Sequence, residues 1–239
     1  MVYFDNAATS GHKPQTVINA VNFALKNLSA NPGRSGHKAA LRAADTVYKT
    51  RVKVSDFFKA DGPENVVFTQ NCTEALNFVI KGVLKKGDHA VVSSLEHNAV
   101  MRPLVKTGVS FDVAKVFDNV SDTLREFEKK IRVNTRLVIM TGASNVTGQI
   151  LPFEEVANIC YKRGVSFCLD AAQIAGVLPI NMQKMHIDYL CVAPLKGLYA
   201  PMGIGLLICR KPIQNTLIEG GTGTSSLEFI QPKIMPEML

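Results

Sequence analysis

Along most of this chain, short apolar runs alternate with segments whose apolar residues recur every three or four positions. Val66-Val67-Phe68-Thr69 precedes Ala75, Leu76, Val79, Ile80 and Val83 at helical spacing, in a helix predicted to stop at Gly87. His89-Ala90-Val91-Val92-Ser93 precedes a helix from about Asn98. The pattern repeats with a strand over 111–116, a helix capped by Ser121 with Leu124, Phe127 and Ile131 inward, and a strand over 137–140. A helix opened by Pro152 follows, then strands over 165–169, 188–192 and 204–209. Runs apolar on both faces belong to strands covered on both faces, and strands joined through helices are joined by crossovers. The expected architecture is therefore α/β: a seven-stranded, mostly parallel sheet with helices on both faces.

Two helices precede the first strand. After Pro14, residues Val17, Val21, Ala24, Leu25 and Leu28 predict an amphipathic helix that Asn31-Pro32-Gly33 breaks. A longer one is predicted over 35–59, with Leu41, Ala44, Val47, Tyr48, Val52 and Phe58 as its inner stripe. The expected organisation is an N-terminal segment of loop plus helix over 1–35 and one large domain over 36–239.

The composition narrows the function classes. With 239 residues, 46% of them apolar, the chain can bury a large core. Its 27 basic and 20 acidic residues leave +7, dispersed in small groups such as Lys85-Lys86 and Lys129-Lys130. Without interleaved aromatic residues this reads as a solvated basic surface or a pocket for an anion, and not as a nucleic-acid partner. Five cysteines form no C-x-x-C pair, which points to a reducing, cytoplasmic setting. The N-terminus has no signal-peptide pattern, and no apolar stretch reaches the length of a membrane span.

Chemically pointed residues stand just past successive strands: Thr73, His97, Asn145, Asp170 with Gln173, and Lys196. In parallel α/β sheets these ends face one crevice, where ligands bind. Taken singly, each has a bland reading: His97 as a cap, Asp170 as a cap, Lys196 as a surface amine. The turn Gln70-Asn71-Cys72-Thr73-Glu74 between strand and helix suits either an ordinary N-cap at Asn71 or Thr73 or a phosphate held on free N–H groups. The glycine-hydroxyl stretch Gly220-Gly221-Thr222-Gly223-Thr224 also suits an anion.

Seven segments carry a specific resemblance: Asp5-Asn6-Ala7-Ala8-Thr9, Asn71-Cys72-Thr73-Glu74-Ala75, Leu95-Glu96-His97-Asn98-Ala99-Val100, Ser144-Asn145-Val146-Thr147-Gly148, Asp170-Ala171-Ala172-Gln173, Lys196-Gly197-Leu198-Tyr199 and the Gly220 to Thr224 stretch. In this order they resemble the cysteine desulfurase and selenocysteine lyase group of class V aminotransferases. The resemblance implies a fold type I large domain that binds pyridoxal 5'-phosphate (PLP). It implies Lys196 as the amine joined to the cofactor aldehyde, Asp170 as partner of the pyridine nitrogen, and His97 stacked on the ring and moving protons. Gln173 and Asn145 are implied at the ring hydroxyl edge, and Thr73 with the backbone of Cys72 at the phosphate. Thr222 is implied to reach the phosphate of a neighbouring subunit, hence a homodimer. The implied substrate is L-cysteine, desulfurated to alanine with an enzyme persulfide in the complete form, and a sulfur-acceptor protein is the implied partner.

Two departures qualify the expectation. The family places histidine before the lysine, whereas this chain reads Ala193-Pro194-Leu195-Lys196; leucine offers neither a hydrogen bond nor a proton, and Pro194 lacks an N–H. The family also continues past the glycine-threonine stretch into a small domain with a substrate-binding arginine and a sulfur-accepting cysteine, so the chain reads as truncated before that domain. Cys72, at a helix N-terminus, is the cysteine here best placed for thiol activation, but on the phosphate side. Cys168, Cys191 and Cys209 read as buried strand residues. The alternatives are another class V aminotransferase or β-lyase activity, or an inactive PLP-binding or partner-binding paralogue.

Overall fold

The computed structural model describes residues 2–32 and 36–213. Seven strands form one sheet: β1 (Val66–Thr69), β2 (His89–Ser93), β3 (Ser110–Ala114), β4 (Thr135–Thr141), β5 (Ser166–Asp170), β6 (Tyr189–Val192) and β7 (Gly205–Cys209). Their order across the sheet is β1-β7-β6-β5-β4-β2-β3. Only β7 is antiparallel to its neighbours, β1 and β6; every other pair is parallel. All strands but β7 therefore end on the same side, as a mostly parallel sheet requires.

Alternation along the strands divides the core in two. Val91, Val138, Met140, Phe167, Leu169 and Leu190 point to one face. There they meet Phe58 of α2 (Lys38–Phe58), Phe127 of α5 (Val120–Lys130) and Val156 of α6 (Phe153–Lys162). Ala90, Val92, Leu137, Ile139, Cys168 and Cys191 point to the other, under α3 (Cys72–Val83) and α4 (Asn98–Thr107). Burial on both sides explains why β2, β5 and β6 read as unbroken apolar runs.

Several expectations are corrected. In α2 the buried residues are Ala40, Ala43, Ser55 and Phe58, while Leu41 and Tyr48 face solvent. Around Ala40 and Ala43 the inner face is thus about one position away from the stripe of larger apolar residues, whereas Phe58 is buried as expected. The α5 cap is Asn119, whose carboxamide accepts the Ser121 N–H at 2.8 Å; Ser121 lies inside the helix. Helix α3 ends at Val83 rather than near Gly87. The first helix, α1 (Gln15–Asn27), forms as predicted but buries none of its residues.

Candidate active site

The C-terminal ends of β1, β2, β4, β5 and β6 surround a cavity of about 200 Å³. Thr73, His97, Asn145, Asp170, Gln173 and Lys196, each from a different strand end except the Asp170–Gln173 pair, all line it, together with Cys72. Thr222 lies outside the described residues.

Each side chain is placed by local chemistry. Asn71 caps α3 by accepting the Glu74 N–H at 2.9 Å, and the Glu74 carboxylate accepts the Gln70 N–H in return. Among the described residues the N–H groups of Cys72 and Thr73 have no partner. Asn71 thus caps the helix at one donor, and the N–H groups of Cys72 and Thr73 stay free beside the crevice. The turn sits so close to β7 that a Cβ on Gly205 would collide with the Asn71 backbone and Thr69 Oγ1.

His97 caps α4, its Nδ1 accepting the Ala99 N–H at 3.0 Å. That bond assigns the ring proton to Nε2, leaving the ring as both cap and cavity wall. Asn145 stands exposed in the tight loop after β4, which Ser144 Oγ shapes by accepting the N–H groups of Val146 and Thr147.

Asp170, only 3% exposed, ends β5 opposite Thr141 of β4. Its Oδ1 accepts the Ala172 N–H at 3.0 Å and is 3.6 Å from Cys72 Sγ. Burial raises its pKa, against the pull of these two donors and of the His97 and Lys196 charges. The next residues turn back tightly: Gly176 (φ +82) and Gly197 pack backbone to backbone, with no room for a Cβ at either. That contact holds the turn bearing Lys196 against the loop bearing Gln173.

The Leu195 departure has a structural counterpart. Its carbonyl gathers the Ser10 N–H (3.1 Å), Ser10 Oγ (2.9 Å), Thr9 Oγ1 (3.3 Å) and Lys13 Nζ (3.2 Å). Its side chain lines the cavity beside Lys196, an apolar wall at that point.

Glu96 was visible in the sequence only as part of a motif, with no role attached. Its Oε1 accepts the Ser93 hydroxyl and, at 2.8 Å, the Thr141 N–H; its Oε2 is sealed from solvent with no partner among the described residues. Burial, and then the Asp170 charge, push its pKa from 4.5 to about 8. An acidic residue between an apolar strand and a helix cap is the sequence signal, but its partner lies 45 residues away.

Cys72 corrects the idea of an activated thiol. It is buried, and burial followed by the negative charge of Asp170 raises its pKa well above the usual thiol value, so the helix N-terminus does not win. Cys168 and Cys191 are fully buried as expected; Cys209 is half-buried.

A lysine, an acid and a free helix N-terminus around one crevice of this sheet define the class to which the comparisons also lead: residues 2–236 match the Aminotransferase class-V family, and the chain belongs to it. It is similar to a probable cysteine desulfurase of Borreliella burgdorferi, 33% identical over 239 residues, covering 96% of this chain and 56% of the relative. Among solved structures it resembles the apo cysteine desulfurase of Thermococcus onnurineus NA1 (TM-score 0.80, 33% identity, 88% of this chain and 54% of that one). It also resembles SspA in complex with cysteine (TM-score 0.83, 30% identity, 93% and 66%). The chain spans about half the length of the curated relatives it matches.

Proposed function

We propose that this chain is the cofactor-bearing large domain of a PLP-dependent cysteine desulfurase that converts L-cysteine to alanine and passes the sulfur onward. The observation that carries the reading is the meeting of Lys196 and Asp170 in one cavity whose rim includes two unpaired N–H groups of α3.

The donor set fits PLP group by group. The α3 N-terminus, with Thr73 Oγ1 beside it, offers hydrogen bonds and a dipole to a phosphate. Asp170 offers a carboxylate that burial makes costly to ionise alone and that therefore gains most from a cationic N–H partner. Lys196 supplies the amine, and His97 a ring able to pack flat on an aromatic cofactor and exchange a proton at Nε2. Gln173 and Asn145 provide hydrogen bonds at the cavity edge. The cofactor, when bound, supplies an electron sink for charge at the substrate α-carbon. The protein's share is orientation: Asp170 would hold the ring nitrogen in its protonated form, and the Gly176–Gly197 contact fixes where the Lys196 backbone sits.

A homodimer with Thr222 contributing across subunits, a sulfur-acceptor protein and a cytoplasmic setting belong to the same proposal. Five free cysteines support a reducing compartment. No helix among the described residues is long and apolar enough to cross a membrane.

Adding PLP to the purified protein should produce a near-visible absorbance band, and borohydride should fix the cofactor to the peptide containing Lys196. Absence of a band, or a band unchanged in Lys196→Ala, overturns the assignment. In the full-length protein with a thiol reductant present to release the persulfide sulfur, alanine and sulfide in equal amounts from L-cysteine support desulfuration, whereas a keto acid product indicates transamination. The apolar Leu195 wall favours a second reading, a class V protein with altered chemistry or a PLP-binding module without turnover. Turnover recovered only in Leu195→His would select it.

A further inference from the structure

We infer that Cys72 is a positioning residue for Asp170: its thiol donates to Oδ1 and leaves Oδ2 as the oxygen that meets a ligand N–H in the cavity. The inference rests on the PLP reading for its consequence, but its geometry stands in the protein alone.

Cys72 is the first residue of α3, on one side of the cavity, and Asp170 ends β5, 98 residues later. Sγ is 3.6 Å from Oδ1, the oxygen that also receives the Ala172 N–H at 3.0 Å. Among the described residues Oδ2 receives no hydrogen bond, yet it is not among the sealed polar atoms of the protein. Both donors thus converge on one oxygen, and the other is left for the cavity. Burial and the neighbouring charge keep the thiol protonated, so it can serve only as donor toward a carboxylate. Cys168 and Cys191, whose Sγ atoms are 3.9 Å apart, belong to the same buried cluster as Cys72. The role differs from the phosphate side of the same residue: the backbone N–H faces the anion, while the side chain faces the acid.

The consequence concerns where a shared proton sits. A donor on Oδ1 lowers the proton affinity of Asp170, so a proton between Oδ2 and a ring nitrogen stays on the nitrogen. Loss of the thiol shifts that proton toward the carboxylate and weakens the positive charge on the ring. The amine linkage at Lys196 then becomes more basic.

Infrared spectra of the S–H stretch test the contact in the protein without cofactor, because that window is free of other protein bands. One lowered, hydrogen-bonded S–H band should be present, vanish in Cys72→Ser and move upward in Asp170→Asn. A Cys72 band that matches free thiols and ignores Asp170→Asn overturns the inference. With PLP bound, the pH midpoint of the visible band should rise by about half a unit or more in Cys72→Ala and return in Cys72→Ser, whose hydroxyl restores the donor. A bonded thiol with an unmoved midpoint in Cys72→Ala reduces the contact to packing and overturns the positioning role. No PLP band in the unaltered protein defeats the proposed function instead, and the S–H result then stands as a structural contact without that role.

Discussion

The N–H of Thr141 donates to Oε1 of Glu96 at 2.8 Å, so the end of β4 is tied to the loop that carries His97. The same Thr141 stands opposite Asp170 in the β4–β5 register. Asp170, and Glu96 with one carboxyl oxygen sealed from solvent, therefore flank one strand end, and only Asp170 lines the cavity.

That arrangement predicts a pH dependence. The folded-state pKa of Glu96, about 8, lies above its ordinary 4.5, so between these values the unfolded chain is ionised while the folded one holds the proton. Stability from this group is then greatest below about pH 4.5, falls as pH rises, and levels off beyond about 8. The slope reaches at most about 1.4 kcal/mol per pH unit. Glu96→Gln should remove this decline, gaining on the unaltered protein as thermal midpoints are measured from pH 5 to pH 9 (roughly the window the linkage relation spans). Parallel curves would refute it. Serine 93, Thr141 and the Asp170 charge are the groups that face the carboxyl.

His89 predicts the opposite sign on the acid side. It is fully buried at the start of β2, its Nδ1 2.8 Å from Thr135 Oγ1 and its Nε2 3.4 Å from Asp112 Oδ2. Burial, and then the Arg132 charge, hold its pKa below the usual 6.5, against Asp112. Its contribution is intact above pH 6.5 and is lost as pH falls, because the unfolded chain binds the proton first. His89→Gln should flatten the loss of unfolding free energy below about pH 6.5, read from denaturant titrations, while changing its value at pH 8 by no more than about 1 kcal/mol. An unchanged acid limb would count against a neutral buried ring.

Gly205→Ala should cost about 1–3 kcal/mol, since the new methyl meets the Asn71 backbone as well as Thr69 Oγ1, and the backbone cannot rotate away. The same collision displaces the N–H groups of Cys72 and Thr73, so PLP affinity in a fluorescence titration should fall along with the melting temperature. A variant that loses stability but binds PLP as before would show that the turn yields elsewhere.

Much of this was readable in advance, for identifiable reasons. His89–Ser93 matches β2 residue for residue because burial on both faces leaves a compact apolar run between polar stops. Thr73, His97, Asn145, Asp170, Gln173 and Lys196 converge because parallel strands deliver their ends to one side. What stayed hidden depended on distant partners. The reversed direction of β7 follows from its seat between β1 and β6, which its own five residues do not encode. The exposed Leu41 and Tyr48 and the buried Ala40 and Ala43 show that bulk alone does not mark the inner face of α2. Asn119 and Ser121 are both good caps, and only the backbone decides between them. The thiol of Cys72 meets an acid 98 residues away, which no local pattern announces.

The Leu195 carbonyl has one more consequence, in time. The oxygen that Ser10 needs is synthesised 185 residues after it. During synthesis the segment around Ser10 waits unpaired until Leu195 has been made, and β1 stays unpaired beyond that point, because its partner strand β7 comes later still. Closure of the turn that bears Lys196 thereby depends on a contact more distant in sequence than any strand pairing in the sheet.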